Sequence, residues 1–129
     1  MSASKGEDII ASLLQSQQIF YETEKLMPGM KHDGYSLRFD FYLPALAAAI
    51  EFDGIQHYQS IPYFGGRKGL LKCKENDRRK NRFCLAHNIK LYRIPYWDLS
   101  KLSSVADLFR QDYLVQSQWH NDRLTPPNS

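Results

Sequence analysis

The sequence has few of the features that mark exported or membrane proteins. No apolar run approaches the ~20 residues that a helix needs to cross a bilayer, and the N-terminal residues lack the apolar stretch of a secretory signal. No membrane partner is therefore expected. Only two cysteines are present, Cys73 and Cys84, so the sequence predicts no disulfide framework and a place in the reducing cytoplasm.

The spacing of a zinc finger is also missing. Cys73, Cys84 and His87 could supply three ligands, but a fourth ligand at finger-like spacing does not accompany them. Structural zinc sites are almost always four-coordinate, with four protein ligands. The sequence therefore predicts no structural zinc.

The positive charge of the chain is concentrated in one block. The whole chain of 129 residues carries a formal charge of +3, whereas residues 67–82 contain eight basic and two acidic side chains. The basic ones are Arg67, Lys68, Lys72, Lys74, Arg78, Arg79, Lys80 and Arg82. Such asymmetry is typical of a protein that binds a polyanion at one face. The alternative is a solvated basic helix, which charge alone slightly favours.

Hydrophobic periodicity predicts one α/β domain over residues 1–120 and a disordered tail at 121–129. The predicted helices are 4–17, 74–88 and 103–115, and the predicted strands are 19–25, 37–43, 47–53 and 89–94. Turns are predicted at 28–29 and 31–34, and a glycine-containing loop at 60–71. The order α-β-β-β-α-β-α describes a three-strand meander followed by a helical crossover to a further strand.

The strand at 37–43 alternates apolar and polar residues. Its two predicted faces are Leu37, Phe39, Phe41 and Leu43 on one side of the sheet, and Arg38, Asp40 and Tyr42 on the other. The next strand is apolar until its acids at positions 51 and 53. That pattern is typical of a central strand.

The register of this hairpin decides whether Asp40 and Glu51 meet. With a four-residue loop at 44–47, the two carboxylates lie opposite each other, at a Cβ separation of about 4.5–5.5 Å. A three-residue loop would instead place Asp40 opposite Ile50 and send Glu51 to the other face. We predict the four-residue loop.

Two carboxylates so close repel each other unless a cation lies between them. Hard oxygen ligands with room left for water suit Mg²⁺, which would activate a water and neutralise charge developing on a phosphate. The alternative is exposed acids on a solvated strand face, with Asp53 tied to Arg38 by a cross-strand ion pair. We favour that alternative for Asp53. For Asp40 and Glu51 we favour a metal site, because an acid after Ala-Ala-Ala-Ile is costly to bury.

Five stretches carry a family resemblance: GEDII, RFDFYLP, IEFDGIQHY, ENDRRKNRFC and IKLYRIPYW. Their order over residues 4–98 resembles the EDxHD subgroup of the PD-(D/E)XK nucleases, which includes phage homing endonucleases and relatives of very-short-patch repair endonucleases. The implied fold is α/β, with a restriction-endonuclease-like αβββαβ core and a mixed sheet, to which the residue pattern adds a C-terminal helix. The implied location is the cytoplasm of a bacterial host or of a phage-infected cell.

Three acids resemble the metal-binding part of that family's active site. Asp40 and Glu51 match its metal ligands, with Mg²⁺ as the implied cofactor and Mn²⁺ as a substitute. Glu7 matches the acid that the family carries on its first helix, near the metal. Ser4 and Glu7 also have the spacing of a helix capping box, and the two roles of Glu7 can coexist.

Two further residues resemble the proton-transfer part of the site. His57 matches the general base, acting as a neutral imidazole, and Asp77 matches the carboxylate that orients it. The chain departs from the broad signature at Asp53, where the family has a lysine. Lys80, one turn after Asp77, could bring the missing positive charge, and Gln56 could polarise the water. Which of His57, Gln56 and Lys80 handles the proton stays open.

The implied activity is that of a homing endonuclease, hydrolysing phosphodiester bonds in double-stranded DNA. Phosphate contacts are expected from Arg67, Lys68, Lys72 and Lys74. One small domain has little surface for a long DNA site, so a homodimer or larger homo-oligomer is expected. The alternatives are a mismatch-nicking or junction-resolving nuclease, a non-catalytic DNA-binding module of the same fold, and a nuclease subunit of a larger transposition or defence complex.

Overall fold

The computed structural model describes residues 4–32 and 35–127. Its helices and strands follow the order α1 (Lys5–Ser16), β1 (Glu22–His32), β2 (Tyr35–Leu43), β3 (Ala48–Asp53), α2 (Gly66–Ala86) and β4 (Lys90–Pro95). Short 3-10 turns lie between β2 and α2 and again after β4. Within these ranges, no helix combines the length and the apolarity that crossing a membrane requires. The chain folds as a single mixed α/β domain, as its periodicity predicted.

Four strands form one mixed sheet in the order β1-β2-β3-β4. The first three are antiparallel to one another, and β3 and β4 are parallel, with α2 as the crossover that a parallel connection needs. One apolar cluster includes Ile10 and Leu14 of α1, and a second includes Cys84 of α2. The two helices therefore cover the two faces of the sheet, and β3 is a central strand with five of its six residues buried.

The first helix forms where the sequence placed it. Ser4 is its N-cap, because the Ser4 hydroxyl oxygen accepts a hydrogen bond from the backbone N–H of Glu7 at 3.2 Å. Ile10 and Leu14, one turn apart, are fully buried against the sheet. This packing fixes the N-terminal turn of α1, and Glu7 with it, beside the strands.

The β2–β3 hairpin has the predicted register. Phe41 pairs with Ile50, and continuing that register sets Asp40 opposite Glu51. The connection is the expected four residues, 44–47, of which the first three form a 3-10 turn that begins with proline. The prediction of the four-residue loop is confirmed, and the two acids lie on facing strands.

The apolar side chains of β2 do not share one face, so that prediction is wrong. Leu37 and Phe39 lie in the core cluster on the α2 side, whereas Phe41 and Leu43 lie in the cluster on the α1 side. The change of side occurs at Asp40. Strict alternation is therefore lost at Asp40, which was predicted to be a metal ligand. Irregular strand positions of this kind often change the direction of a functional side chain.

Strand β1 is longer than predicted. It runs to His32 through the Pro28-Gly29 pair, which had been interpreted as a turn. Its register against β2 shifts between Leu26 and Lys31. A proline is tolerated here because β1 is an edge strand, whose outer N–H groups need no partner strand. The turn predicted at 31–34 includes two positions that lie outside the described residues.

Helix α2 begins at Gly66 rather than near residue 74, so the glycine-containing segment is partly helical. Gly65 and Gly66 have φ angles of 91° and 61°, a region that glycine enters without steric cost. A Cβ on Gly69 would lie 1.9 Å from the carbonyl oxygen of Phe64. The glycines therefore let the preceding turn fold back against the first turn of α2.

The helix predicted at 103–115 does not form. Two 3-10 turns, Val105–Phe109 and Gln111–Tyr113, replace it. The backbone N–H of Val115 then donates to the carbonyl oxygen of Leu91 in β4 at 2.8 Å. The segment lies along the free edge of β4 and covers it, which satisfies strand groups that a helix would leave exposed.

The chain beyond residue 120 packs onto the domain. His120–Arg123 form a 3-10 turn, and Asn121 is only 2% exposed. The Asn121 amide donates to Asp53 Oδ2 at 2.7 Å. Arg78 of α2 makes two hydrogen bonds to Asp122, at 2.8 and 3.1 Å. The prediction of a disordered tail is therefore wrong for residues 121–123.

Candidate active site

A pocket of about 420 Å³ lies where α1, the β2–β3 hairpin and α2 meet. Its lining consists of Ser4, Glu7, Asp40, Glu51, Phe52, Gly54, Gln56, His57, Phe64 and Lys80. Six of the seven residues predicted to be catalytic are in this lining, although they come from five separate parts of the chain. The seventh, Asp77, lies behind His57.

Asp40 and Glu51 are each held by the facing strand. The backbone N–H of Asp40 donates to Glu51 Oε2 at 2.6 Å, and the N–H of Phe52 donates to Asp40 Oδ2 at 2.9 Å. Beyond the last backbone pair of the two strands, Phe41 and Ile50, these bonds from backbone to side chain replace the backbone ladder. One oxygen of each carboxylate is thereby fixed by a backbone N–H of the facing strand.

Two acids of the pocket, Asp40 and Glu7, have raised pKa values. Burial raises the pKa of Asp40 to about 9, and the negative charge of Glu51 adds to the effect. Burial also raises the pKa of Glu7 above its usual value, with smaller contributions from Glu24 and Glu51. Carboxyl groups crowded in this way gain from any positive charge placed among them.

Lys80 brings one positive charge into the pocket from α2. Its ammonium group contacts Glu51 Oε1 and lies 5.9 Å from the ring centroid of Phe39. Burial disfavours the charged ammonium, but Glu51 and Asp40 outweigh burial and raise the pKa of Lys80. Since Lys80 reaches the acids from the turn after Asp77, it stands where the sequence analysis expected a substitute for the missing lysine.

His57 is paired with Asp77, as the sequence predicted. Its Nδ1 lies 2.9 and 3.1 Å from the two carboxylate oxygens. Burial opposes protonation, but the charge of Asp53 and the hydrogen bonds with Asp77 and Cys73 outweigh it and raise the pKa of His57 to about 11. The raised pKa favours the protonated imidazolium, whereas the resemblance implied a neutral imidazole.

A buried arginine organises the carboxylates behind His57. Arg93 of β4 is fully buried, and its NH1 lies 2.8 Å from Asp53 Oδ1 and 3.5 Å from Asp77 Oδ1. Its Nε donates to Asn81 Oδ1 at 2.8 Å. Arg93 was not among the residues predicted from the sequence. The available signal was a charge next to apolar residues in the middle of a predicted strand, because a charge that is buried there needs buried partners.

Asp53 belongs to this buried network and not to a surface ion pair. It also accepts hydrogen bonds from the Tyr58 hydroxyl at 3.4 Å and from Asn121. Arg38 is exposed, and it donates to the carbonyl oxygen of Glu24 at 3.3 Å. The predicted Arg38–Asp53 pair is therefore wrong, because Asp53 faces β4 and its arginine.

Glu7 contributes to the N-terminal cap of α1 and also lines the pocket. Its backbone N–H donates to the Ser4 side chain, and the Ser4 hydroxyl donates to Glu7 Oε2 at 3.3 Å. The same carboxylate lines the pocket. Capping therefore positions Glu7 close to the other acids without removing it from the site.

The four predicted phosphate-contacting residues lie on α2, outside the pocket. Arg67, Lys68 and Lys72 are exposed, and Lys74 is half-buried, with its ammonium 3.8 Å from Asp122 Oδ1. Among the described residues, the pocket lining includes none of the four. The lining does include Phe64, two residues before α2, so the exposed start of this helix adjoins the pocket.

Two viral proteins are similar to this chain. Over 67 residues it is 34% identical to Uncharacterized protein 307L of Invertebrate iridescent virus 6, and the match covers 51% of this chain and 34% of that protein. Over 65 residues it is 42% identical to Uncharacterized protein 094L of Frog virus 3 (isolate Goorha), covering 49% of this chain and 42% of that protein. The chain thus spans less than half the length of these curated relatives. No protein-family model and no solved structure matches it.

Proposed function

We propose that this protein is a divalent-metal-dependent endonuclease that hydrolyses phosphodiester bonds in double-stranded DNA. The observation that carries the proposal is the convergence of Asp40, Glu51 and Lys80 at one point of the pocket, with Glu7 and His57 in its wall. Facing carboxylates offer a place for a cation, and the ammonium offers charge to a phosphate. The order αβββαβ agrees with a restriction-endonuclease-like core, which we propose as the fold family.

The donor atoms of the pocket fit Mg²⁺, with Mn²⁺ as a substitute. Asp40, Glu51 and Glu7 all present carboxylate oxygens, the hard ligands that Mg²⁺ prefers. Asp40 in particular needs added positive charge before it ionises near neutral pH. When bound, Mg²⁺ would supply Lewis-acid activation of water and would stabilise negative charge on the phosphate.

In this chain Lys80 takes the role of the lysine that the resembled family has at position 53. Asp53 has a different, structural role. Lys80 brings the positive charge to the acids, and Asp53 instead anchors Arg93 in the core. The charge needed at a scissile phosphate is therefore present although position 53 is acidic. This weakens the case for a non-catalytic DNA-binding module that has lost its chemistry.

His57 performs the proton transfer in this proposal. As an imidazolium held by Asp77 it can donate a proton from Nε2 to a leaving oxygen. A dication in the same pocket would lower the pKa of His57, because like charges disfavour each other, and would make the accepting form available. Gln56 lines the pocket and can orient the attacking water.

Duplex DNA would lie across the exposed start of α2. Arg67, Lys68 and Lys72 are exposed there, and phosphate contacts by such side chains give affinity without sequence information. Within the nuclease class we favour a homing endonuclease, on the resemblance of the five motifs, and we expect a homodimer or larger homo-oligomer for a long site. A mismatch-nicking or junction-resolving enzyme is the second candidate.

A cleavage assay with matched variants tests the proposal. Intact, mismatched and branched DNA duplexes would be incubated with protein and Mg²⁺ or Mn²⁺. Wild type and Asp8→Asn, which alters an exposed acid on α1, should cut. Asp40→Asn should lose about two orders of magnitude or more in rate, and His57→Ala should also be slow. Cutting by Asp40→Asn at the wild-type rate, or intact substrates throughout, would count against the proposal.

A further inference from the structure

We propose that the protein has a second cation site, a zinc site formed by His57, Cys73 and Asp77 beside the acidic pocket. These three residues offer one nitrogen, one sulfur and one oxygen ligand, and the ligand atoms all lie within 4.8 Å of one another. The three residues do not have the spacing of a zinc finger. Spacing in the sequence does not reveal this set, which joins a turn to a helix.

The geometry of the cluster is close to what zinc requires. Zn–S and Zn–N bonds of about 2.3 and 2.0–2.1 Å place tetrahedral ligand atoms about 3.3–3.8 Å apart. Cys73 and Asp77 lie one turn apart on α2 and thus on the same face of the helix. His57 approaches that face from the 3-10 turn Ile55–His57, with Nδ1 at 2.9 Å from Asp77. Binding therefore needs only small movements of side chains.

The ligand types separate this site from the acidic pocket. Thiolate and imidazole favour zinc over Mg²⁺, whereas Asp40 and Glu51 offer only oxygen. Three protein ligands leave one position for water, the arrangement of an exchangeable rather than a purely structural zinc. Cys73 is half-buried, so an ion can reach it from solvent.

The surrounding charges accept a dication. Asp53 and Asp77 are buried with Arg93 as their shared cation. Metal binding would displace the proton on His57 Nδ1 and deprotonate Cys73, so it would remove one positive charge and add a third negative charge. Arg93 and Zn²⁺ together balance these three anions, which makes a neutral cluster in the protein interior.

Zinc at this position would inhibit the activity proposed above, and this consequence rests on the proposed function. Coordination uses His57 Nδ1 and the carboxylate of Asp77, the contact that orients the imidazole. Because zinc occupies Nδ1, that nitrogen can no longer carry a proton. Zinc bound at this cluster would then inhibit cleavage, while Mg²⁺ would still have Asp40 and Glu51 as ligands.

Cobalt binding tests the site without reference to DNA cleavage. Co²⁺ takes tetrahedral zinc sites, and a thiolate ligand gives it a charge-transfer absorption in the near ultraviolet. Untagged wild type, Cys84→Ala and Asp40→Asn should show this band and lose it when Zn²⁺ is added. Cys73→Ser, folded by circular dichroism, should lack the band. A wild-type protein without the band, or a band that persists in Cys73→Ser, would overturn the zinc site.

Inhibition of cleavage tests the consequence. With Mg²⁺ in excess, added Zn²⁺ should slow the wild type by about tenfold or more and should leave the rate of Cys73→Ser nearly unchanged. If no preparation cuts DNA but the Cys73-dependent band is present, the nuclease proposal fails and the zinc site stands. If cutting is seen without the band, the zinc site fails and the nuclease stands.

Discussion

At the scale of one residue, Asp40 shows how a buried carboxyl group beside another acid lowers the stability of the fold. Its carboxyl group lies where β2 changes the face that it buries, next to Glu51. Burial and that neighbouring charge raise the pKa of Asp40 to about 9. The folded protein therefore retains a proton that the unfolded chain releases near pH 4. Between these two pKa values, stability falls as the pH rises, because the unfolded state binds fewer protons.

Replacing Asp40 with asparagine should stabilise the metal-free protein in a pH-dependent way. Asparagine can still accept the Phe52 N–H bond but carries no charge to desolvate. We expect Asp40→Asn to match the wild type near pH 4 and to exceed its free energy of unfolding by about 1–2 kcal/mol at pH 8. Urea unfolding at several pH values in EDTA would measure the difference.

The control for this experiment is Asp8→Asn, at an exposed acid of α1. Its free energy of unfolding should follow the pH dependence of the wild type, since the substitution changes only a solvent-exposed side chain. Mg²⁺ should raise the stability of the wild type and not that of Asp40→Asn. Equal pH profiles for Asp40→Asn and wild type would contradict the raised pKa.

At the scale of elements, α2 connects the parts of the domain. It carries Lys80 and Asp77 toward the pocket, and its Arg78 binds Asp122 of the C-terminal segment. The Asn81 amide on the same helix donates to the carbonyl oxygen of Gln118 at 3.0 Å. One helix thus supports the candidate site on one side and the end of the chain on the other.

The C-terminal segment should therefore contribute to stability. Asn121→Ala removes the hydrogen bond to buried Asp53 and leaves that carboxylate with one donor fewer. We expect a loss of about 1–3 kcal/mol in the free energy of unfolding. Gln116→Ala, at an exposed amide, should change it little. Chemical denaturation of both variants would measure this, and a neutral Asn121→Ala would mean that the segment does not pack as described.

At the scale of the whole molecule, the basic block and the acidic pocket are neighbours in space. The start of α2 exposes Arg67 and Lys68, and the turn before it places Phe64 in the pocket lining. A duplex bound by its phosphates along α2 would thus pass beside Asp40 and Glu51. If the proposed function holds, the exposed basic residues determine where DNA binds, and the acids determine where it is cut.

Removing charge from that surface should reduce the salt dependence of DNA binding. Each phosphate contact adds about 0.9 to the slope of log K against log salt, so the double variant Arg67→Ala/Lys68→Ala should lower the slope by about 2. Fluorescence anisotropy with a labelled duplex and no divalent cation would measure it. The matched control, Lys101→Ala/Arg110→Ala, removes the same charge from residues that pair with local acids. An equal change in both double variants would indicate a nonspecific charge effect.

Local patterns predicted much of the candidate site. The predicted loop length set the register that places Asp40 opposite Glu51, and the helical spacing of Asp77 and Lys80 brought both to one face of α2. These features depend on residues close in sequence, so periodicity and turn chemistry report them directly. The pairing of His57 with Asp77 came from the resemblance, since spacing alone does not fix a contact between a turn and a helix.

The sequence by itself determined the order of the first six elements, α-β-β-β-α-β, and the hairpin that carries the acids. Only the tertiary structure decided that Arg93 is buried among Asp53 and Asp77, and that Cys73 lies beside His57. It also replaced the predicted C-terminal helix with turns along the edge of β4. The physical reason is common to all three: each depends on charges or strand edges that meet across long stretches of chain. Such contacts override local preference, because a buried charge or an open strand edge must find a partner.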